Sequence, residues 1–361
     1  MRKVHYLDYL FLDAFSTTES RKLKSLYHIF TGKRTVSVMI QSLKYELGGY
    51  FGLFPKLKWE SFEKIIHSMV QDDFIYLVDE GYCVTEKGVK QKEDFFQTHT
   101  RINYFQQIRY VRMIPEFKKK SLFLVQVLSE MSHQNKDYFP LLEGLAEQNW
   151  LKSFIKNMTI PREEISTAYG KEWIALLENI KMKDKTIFVE QFEGNRYVRK
   201  TSRQVAEEYS LEESEVIIIW QQGWVQILVN LESHPNQYSI LYKLYHQLKS
   251  EGYLWSNSVQ ETFLLLSSGV KPADLSSRRR LKDSTINDHL TELAILSFSF
   301  PFEQFLNEQQ MNYVTDFLEK GDTLDYKEIQ KEFPTISFFE SRLMQVRSEV
   351  MKKDGKGLPG I

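Results

Sequence analysis

Hydrophobic residues recur at helical spacing along most of this chain. Between residues 59 and 71, Phe62, Ile65, Ile66, Met69 and Val70 fall on one face, which is the pattern of an amphipathic helix packed on a core. The same spacing predicts helices at residues 4–15, 20–31, 33–47, 121–131, 173–182, 202–209, 213–229, 284–295, 307–320, 325–333 and 338–350. The pattern therefore predicts a mainly α fold.

Two short stretches predict β-structure instead. FIYLV and YCVT flank the turn residues Asp79, Glu80 and Gly81, which predicts a hairpin directly after the helix at 59–71. A helix followed by a two-stranded wing is typical of a winged helix. Within the mostly helical middle of the chain, residues 185–199 are open to an alternative interpretation as a short hairpin, because TIFVE and RYVR surround Glu193-Gly194-Asn195.

The chain is long enough for several domains. Its 361 residues are 42% hydrophobic, and single cores of this composition stop growing at about 250–300 residues. We predict a winged-helix-like domain at residues 1–94, a helical middle domain at 95–255, a helix-turn-helix domain at 256–350 and a flexible tail at 351–361. No internal repeat marks these boundaries.

The segment from Glu261 to Ala294 has the layout of a helix-turn-helix. Gly269 suits the left-handed residue that ends a helix, and Pro272 suits the first turn of the next one. Asp283 or Ser284 is then predicted to cap a further helix. In that helix Ile286, Leu290, Leu293 and Ala294 share one face, which predicts a helix packed on the other two.

The same residues carry a resemblance to known families. SVQETFLLLSSGVKPADLSSRRRLKDSTINDHLTELA, at 258–294, resembles the C-terminal helix-turn-helix domain of RecQ-type helicases, which also ends the YpbB proteins of Firmicutes. SFFESRL at 337–343 is similar to that family's aromatic-Glu-x-Arg-Leu segment. TGKRTVSVMIQSLKYELGGYFGLFPKL, at 31–57, resembles the N-terminal part of YpbB specifically. Because both ends match, we identify the chain as resembling the YpbB family, and the resemblance implies a partnership with a RecQ-like helicase.

Motifs of catalysis are missing from the sequence. Gly32-Lys33 is followed by Arg34, and Gly170-Lys171 also fails the phosphate-binding loop pattern, so no ATP-driven motor is expected. The eight histidines are scattered and Cys83 stands alone, which predicts neither a metal site nor disulfides. We expect a non-enzymatic, cofactor-free, cytoplasmic protein, and no apolar run approaches the roughly 20 residues of a membrane span.

Net charge is only −1, so any contact with nucleic acid must come from local clusters of basic residues. In the helix-turn-helix, basic side chains are predicted to approach phosphates and polar ones to touch bases or sugars. These candidates are Arg278, Arg279, Arg280, Lys282, Ser284, Thr285, Asn287 and His289. The outer face of the helix is predicted to carry Asp288, Glu292, Ser284 and Thr291, and its carboxylates favour docking of a protein instead.

A second basic cluster lies in the middle of the chain. It comprises Arg101, Arg109, Arg112, Lys118, Lys119 and Lys120, interleaved with Tyr104, Phe105, Tyr110 and Phe117. Cations with aromatic platforms are typical of single-strand binding. The alternative interpretation places these aromatic residues in the core and the lysines on a solvated helix end.

These observations support three hypotheses. The first is a DNA-binding accessory protein that acts with a RecQ-like helicase in DNA repair or replication, on forked or single-stranded DNA. The second is a sequence-specific transcription regulator, which requires base readout. The third is a scaffold that docks proteins and does not contact DNA.

Overall fold

The computed structural model describes residues 5–297, 300–319 and 324–354. Helices dominate the described part of the chain, so the prediction of a mainly α fold is confirmed. The helices are α1 (Tyr6–Asp13), α2 (Leu23–Thr31), α3 (Val36–Lys44), α4 (Trp59–Gln71), α5 (Glu86–Phe96), α6 (Gln107–Tyr110), α7 (Met113–Ser132), α8 (Leu145–Lys156), α9 (Ile165–Asn179), α10 (Lys185–Val189), α11 (Ser202–Tyr209), α12 (Glu213–Ser233), α13 (Ser239–Ser250), α14 (Asn257–Ser267), α15 (Leu275–Arg279), α16 (Asp283–Leu296), α17 (Glu308–Glu319), α18 (Tyr326–Glu332) and α19 (Phe338–Asp354).

The hairpin predicted after α4 is present. Strand β1 (Ile75–Val78) pairs antiparallel with β2 (Gly81–Val84) in the register Ile75 to Val84. Asp79 takes the left-handed conformation that this two-residue turn needs, with φ of 51°. Arg21 adds a single bridge to Tyr82 through two backbone hydrogen bonds of 3.0 Å. Arg21 therefore occupies the position of a third strand beside the hairpin, as in the sheet of a winged helix.

The alternative interpretation of residues 185–199 as a hairpin is wrong for residues 185–189, which are helical. Residues 185–189 form α10, because Asp184 caps the backbone N–H of Thr186 at 2.8 Å and the buried Trp220 donates to the carbonyl of Ile187 at 2.6 Å. Of the hairpin, an isolated bridge between Gly194 of the turn and Tyr197 is present. Tertiary packing thus outweighs the β-propensity of Thr, Ile, Phe and Val in this segment.

The chain divides into two compact units. Unit 1 contains the described residues of Met1–Lys22, Glu60–Tyr104 and Met113–Glu251, and unit 2 those of Leu23–Trp59, Phe105–Arg112 and Gly252–Ile361. The predicted domain edges at 94/95 and 255/256 stay a prediction. Of the predicted tail, residues 351–354 continue α19, and 355–361 lie outside the described residues.

The core of unit 1 is built around α12. Its Trp224 is 1% exposed and meets Phe117 of α7, Trp173 of α9 and Phe188 of α10 at ring-centroid distances of 5.0 to 6.2 Å. Gly223 is required there, because a Cβ atom would lie 2.5 Å from the Phe188 ring. The aromatic content of the middle of the chain is therefore used mainly as core.

The core of unit 2 is built around α16. This helix packs against α14 and α19, and also against α3 and α6 from the first third of the chain. Leu290, Leu293 and Ala294 are at most 2% exposed. The face predicted to be apolar is thus buried, and segments far apart in sequence share one core. None of the helices in the described residues is both long and apolar enough to cross a membrane.

Candidate nucleic-acid interface

The helix-turn-helix consists of α14, α15 and α16 within unit 2. Gly269 ends α14 with φ of +86°, and Pro272 opens the short 3₁₀ turn that precedes α15, as predicted. Arg280 is the C-cap of α15 and has φ of 52°. The predicted cap at Asp283 or Ser284 is wrong: Lys282 holds the extended N-cap position, and Asp283 is already helical and accepts from the hydroxyl of Ser276.

Three basic side chains of the predicted set are exposed at the turn between α15 and α16. These are Arg278, Arg280 and Lys282, which we call the turn cluster. The left-handed backbone at Arg280 reverses the chain there, and Lys282 stands at the N-terminus of α16, where backbone N–H groups also favour an anion. Ser284 in the first turn of α16 is exposed as well.

Arg279 is held inside the domain, unlike its two neighbours. Its guanidinium donates to the carbonyl of Ser258 and to the hydroxyl of Thr262, both at 2.6 Å, and forms an ion pair with Glu261 at 2.9 Å. Its side chain is only 10% exposed. Arg279 therefore joins α15 to α14 and has little surface left for a phosphate.

His289 belongs to the same polar network. Its Nδ1 lies 2.9 Å from the hydroxyl of Thr262, which is fully buried. Burial lowers the pKa of His289, and the positive charge of Arg279 lowers it further. Thr285 and Asn287 are half-buried. The predicted base-contacting residues are thus less exposed than the turn cluster.

The outer face of α16 differs from its prediction. Thr291 and Glu292 were expected at the surface but are 1% and 9% exposed, because α3 and α6 also pack on this helix. Glu292 pairs with Arg34 at 2.5 Å, and Arg34 donates to the carbonyl of Leu254 at 3.2 Å. Asp288 does remain exposed.

Arg342 of α19 contacts the exposed Asp288 of α16 and was not predicted from the sequence. Its guanidinium lies 3.4 Å from Asp288 of α16 and 3.5 Å from the hydroxyl of Ser37, and it stacks 4.3 Å above the ring of Phe338. Arg342 and Phe338 belong to the SFFESRL segment. The aromatic and Arg positions of that segment were the available signal, since an Arg one turn after an aromatic can stack on it.

The second basic cluster is divided between the two units, and its members are buried or engaged within their own unit. Arg109 is 5% exposed, and Tyr110 and Phe117 are completely buried, so the interpretation of those two rings as stacking platforms is wrong. Arg112 is half-buried, and burial lowers the pKa of its guanidinium. Arg101 holds the buried carboxylate of Asp13 at 2.6 Å.

The three consecutive lysines of α7 each contact a neighbour in unit 1. Lys119 pairs with Glu147 at 2.9 Å, and Lys120 pairs with Glu251 at 3.6 Å. Lys118 lies 5.0 Å above the ring of Trp220, and burial lowers the pKa of its ammonium to about 8. These contacts give all three lysines a role in packing.

The described residues contain no group of three or more His, Cys, Asp or Glu side chains that could hold a metal ion. The turn cluster therefore presents exposed cations beside a helix N-terminus. These cations can bind phosphate oxygens or the carboxylates of a protein.

Comparison with known proteins agrees with this architecture. A family described as "Helix-turn-helix domain" matches residues 258–345, which contain α15, α16 and most of α14. Over 352 residues the chain is 23% identical to "Protein YpbB" of Bacillus subtilis (strain 168), covering 94% of this chain and 97% of that protein. The predicted resemblance to YpbB, with its C-terminal helix-turn-helix, is therefore confirmed. No solved structure matches the chain.

Proposed function

We propose that this chain is a non-enzymatic DNA-binding protein that assists a RecQ-like helicase in DNA repair or replication in the cytoplasm. The observation that carries the proposal is the turn cluster. Within a helix-turn-helix domain, Arg278, Arg280 and Lys282 are exposed at the turn that leads into the third helix. Cations there supply the salt-dependent part of DNA affinity.

The helicase partnership is supported by the resemblance of residues 258–294 to the C-terminal domain of RecQ-type helicases. No phosphate-binding loop motif occurs in the sequence, so a motor has to be supplied by a partner. In this proposal the turn cluster holds forked or single-stranded DNA while another part of the chain contacts the helicase.

A protein-docking scaffold is the second candidate, because of two carboxylates. Asp283 and Asp288 are both exposed on α16, beside the turn cluster. A polyanion is repelled by them, whereas a protein surface with its own cations is attracted. The choice between the two functions therefore depends on whether the three cations outweigh the two carboxylates.

Fluorescence anisotropy of the full chain on labelled single strand, blunt duplex and fork tests DNA binding. The proposal predicts binding that weakens steeply with salt, and tighter binding to the fork or the single strand than to the duplex. Absence of binding to all three at low salt would contradict it and leave the scaffold.

The partnership is tested separately by mixing the full chain with a purified RecQ-like helicase from the same cell. Complex formation in size-exclusion chromatography is the expected result, in the absence of DNA and after nuclease treatment. Faster unwinding of a fork upon addition of the chain is expected as well. If both proteins elute separately and unwinding is unchanged, the helicase part of the proposal is wrong.

A further inference from the structure

We infer that this helix-turn-helix binds DNA through phosphates alone, and that its DNA substrate is consequently not defined by base sequence. The inference rests on the proposed function and specifies the substrate class of the same site. It follows from how α16, the helix that reads bases in other helix-turn-helix proteins, is enclosed by the rest of unit 2.

The C-terminal half of α16 has no surface to offer a major groove. Residues 291–296 are six consecutive buried positions, from Thr291 at 1% exposure to Leu296 at 0%. Six residues make more than one and a half helical turns, so every direction around the helix is covered there. The covering elements are α3, α6, α14 and α19.

One largely buried ion pair fixes this cover, and a half-exposed ion pair lies beside it. Arg34, between α2 and α3, reaches Glu292 at 2.5 Å in a pair whose side chains are 17% and 11% exposed. Arg342 of α19 reaches Asp288 at 3.4 Å. Breaking the largely buried pair of Arg34 and Glu292 would leave an uncompensated charge inside the fold, whereas the half-exposed pair of Arg342 and Asp288 contributes little. The cover is therefore part of the folded domain, and DNA does not displace it.

The N-terminal half of α16 offers few groups that read bases. Asp283, Ser284 and Asp288 are its exposed side chains. Guanine is read by Arg or Lys and adenine by Asn or Gln, and of these types α16 carries only Asn287, which is half-buried. Asp can accept from cytosine, but two carboxylates also repel the nearby phosphates.

The turn cluster, in contrast to the exposed carboxylates of α16, is positively charged. Arg278, Arg280 and Lys282 precede or cap α16, and all three are exposed. Long cations at such positions contact phosphates, which are identical at every base pair. Affinity is thus expected from phosphates, with little discrimination between sequences.

The test is a competition experiment with the full chain. A labelled duplex is displaced by a panel of unlabelled duplexes of equal length and unrelated sequence, and a random-sequence pool is put through rounds of selection. We expect dissociation constants within about fivefold of each other, which is less than one mismatched pair costs a base-reading protein. We also expect no consensus from the pool.

Variants distinguish binding through phosphates from binding through bases. Thr285→Ala/Asn287→Ala is expected to leave affinity within about twofold for every duplex, because these half-buried groups contribute no base contact. Asp288→Asn is expected to raise affinity about twofold for every duplex, because it removes a carboxylate that repels phosphates and its half-exposed pair with Arg342 contributes little to the fold. Asp316→Asn, which removes an exposed carboxylate of α17, serves as the matched control.

Three outcomes decide the question. Uniform affinities that Thr285→Ala/Asn287→Ala leaves unchanged support the inference. A preference of about a hundredfold for one duplex, abolished in that variant, overturns it while leaving DNA binding intact. No binding to any duplex, single strand or fork at low salt overturns the proposed function, and this inference with it.

Discussion

Two runs of basic residues in this chain have similar sequences and different surroundings. RRRLK at 278–282 leaves Arg278, Arg280 and Lys282 exposed at a turn in unit 2. KKK at 118–120 lies on α7 in unit 1, where two lysines form ion pairs and the third is desolvated against Trp220. A run of cations is therefore a candidate for binding phosphate when the fold leaves it exposed, and a poor one when the fold engages it in packing and ion pairs.

The difference is produced by residues distant in sequence. Glu147 and Glu251, which neutralise Lys119 and Lys120, belong to α8 and to the C-cap of α13. Within RRRLK, the side chain drawn into the domain is Arg279, which faces Glu261 and two hydroxyl-bearing residues of α14. The following variants test this comparison.

The largest effect is expected on folding stability, from Arg279 within RRRLK. Arg279→Ala should lower the free energy of unfolding by about 2–3 kcal/mol, because it removes the largely buried charged hydrogen bonds to the hydroxyl of Thr262 and the carbonyl of Ser258. Urea denaturation followed by circular dichroism measures it. Arg278→Ala, one residue away and exposed, is the matched control and should change stability by less than about 0.5 kcal/mol. Equal stability of the two variants would show that Arg279 is not a structural residue.

The next effect is on DNA affinity. Arg278→Ala/Arg280→Ala/Lys282→Ala is expected to weaken binding to a fork by more than about tenfold at low salt, since up to three phosphates are no longer neutralised. The chain should keep the thermal stability of the wild type, because these side chains are exposed. Lys327→Ala/Lys331→Ala removes exposed charges of α18 in the same unit and should change affinity by less than about twofold. An equally large decrease in that control would assign the effect to net charge alone.

A smaller effect on DNA is expected from the lysines of α7. Lys118→Ala/Lys119→Ala/Lys120→Ala removes as many charges as the turn-cluster variant, yet affinity for the fork should fall by less than about twofold, because these groups are already engaged in the fold. The same anisotropy assay measures it. A decrease as large as that of the turn-cluster variant would invalidate the contrast between the two runs.

The smallest effect concerns pH. The pKa of His289 is lowered in the folded chain, so protonation favours the unfolded state. Stability linked to His289 is therefore fully present above its ordinary pKa of 6.5 and is lost as pH falls from there through the folded-state pKa. His289→Gln should flatten the fall in urea midpoint below about pH 6.5 relative to the wild type. Identical profiles for both chains would contradict this assignment.

Much of the fold could be predicted from local pattern. Most of the long helices, the hairpin at Asp79 and the left-handed Gly269 follow from spacing and turn chemistry within a few residues of each position, whereas α5, α8 and α13 were not individually predicted. Residues 185–189 could not be predicted this way, because their helix depends on Trp220. The burial of α16 by other helices could not be predicted from local pattern either, because Arg34 and Glu292 meet only in the folded chain.

The candidate site was predictable in part. The exposed cations Arg278, Arg280 and Lys282 follow from the turn in which they lie, while the inward orientation of Arg279 requires knowing that Thr262 and Glu261 face it. The expected exposure of Glu292 rested on a helix with one buried face. That assumption is wrong here because α16 is enclosed from several sides.

The central claim is that the turn cluster binds the DNA. The most direct measurement is the slope of log affinity against log salt for a fork, compared between the wild type, Arg278→Ala/Arg280→Ala/Lys282→Ala and Lys118→Ala/Lys119→Ala/Lys120→Ala. We predict that the steepness of the slope falls by roughly 0.7–0.9 for each phosphate that the first variant no longer neutralises, and that it is unchanged in the second variant. Equal slopes for all three chains, or a reduction only in the α7 variant, would contradict it.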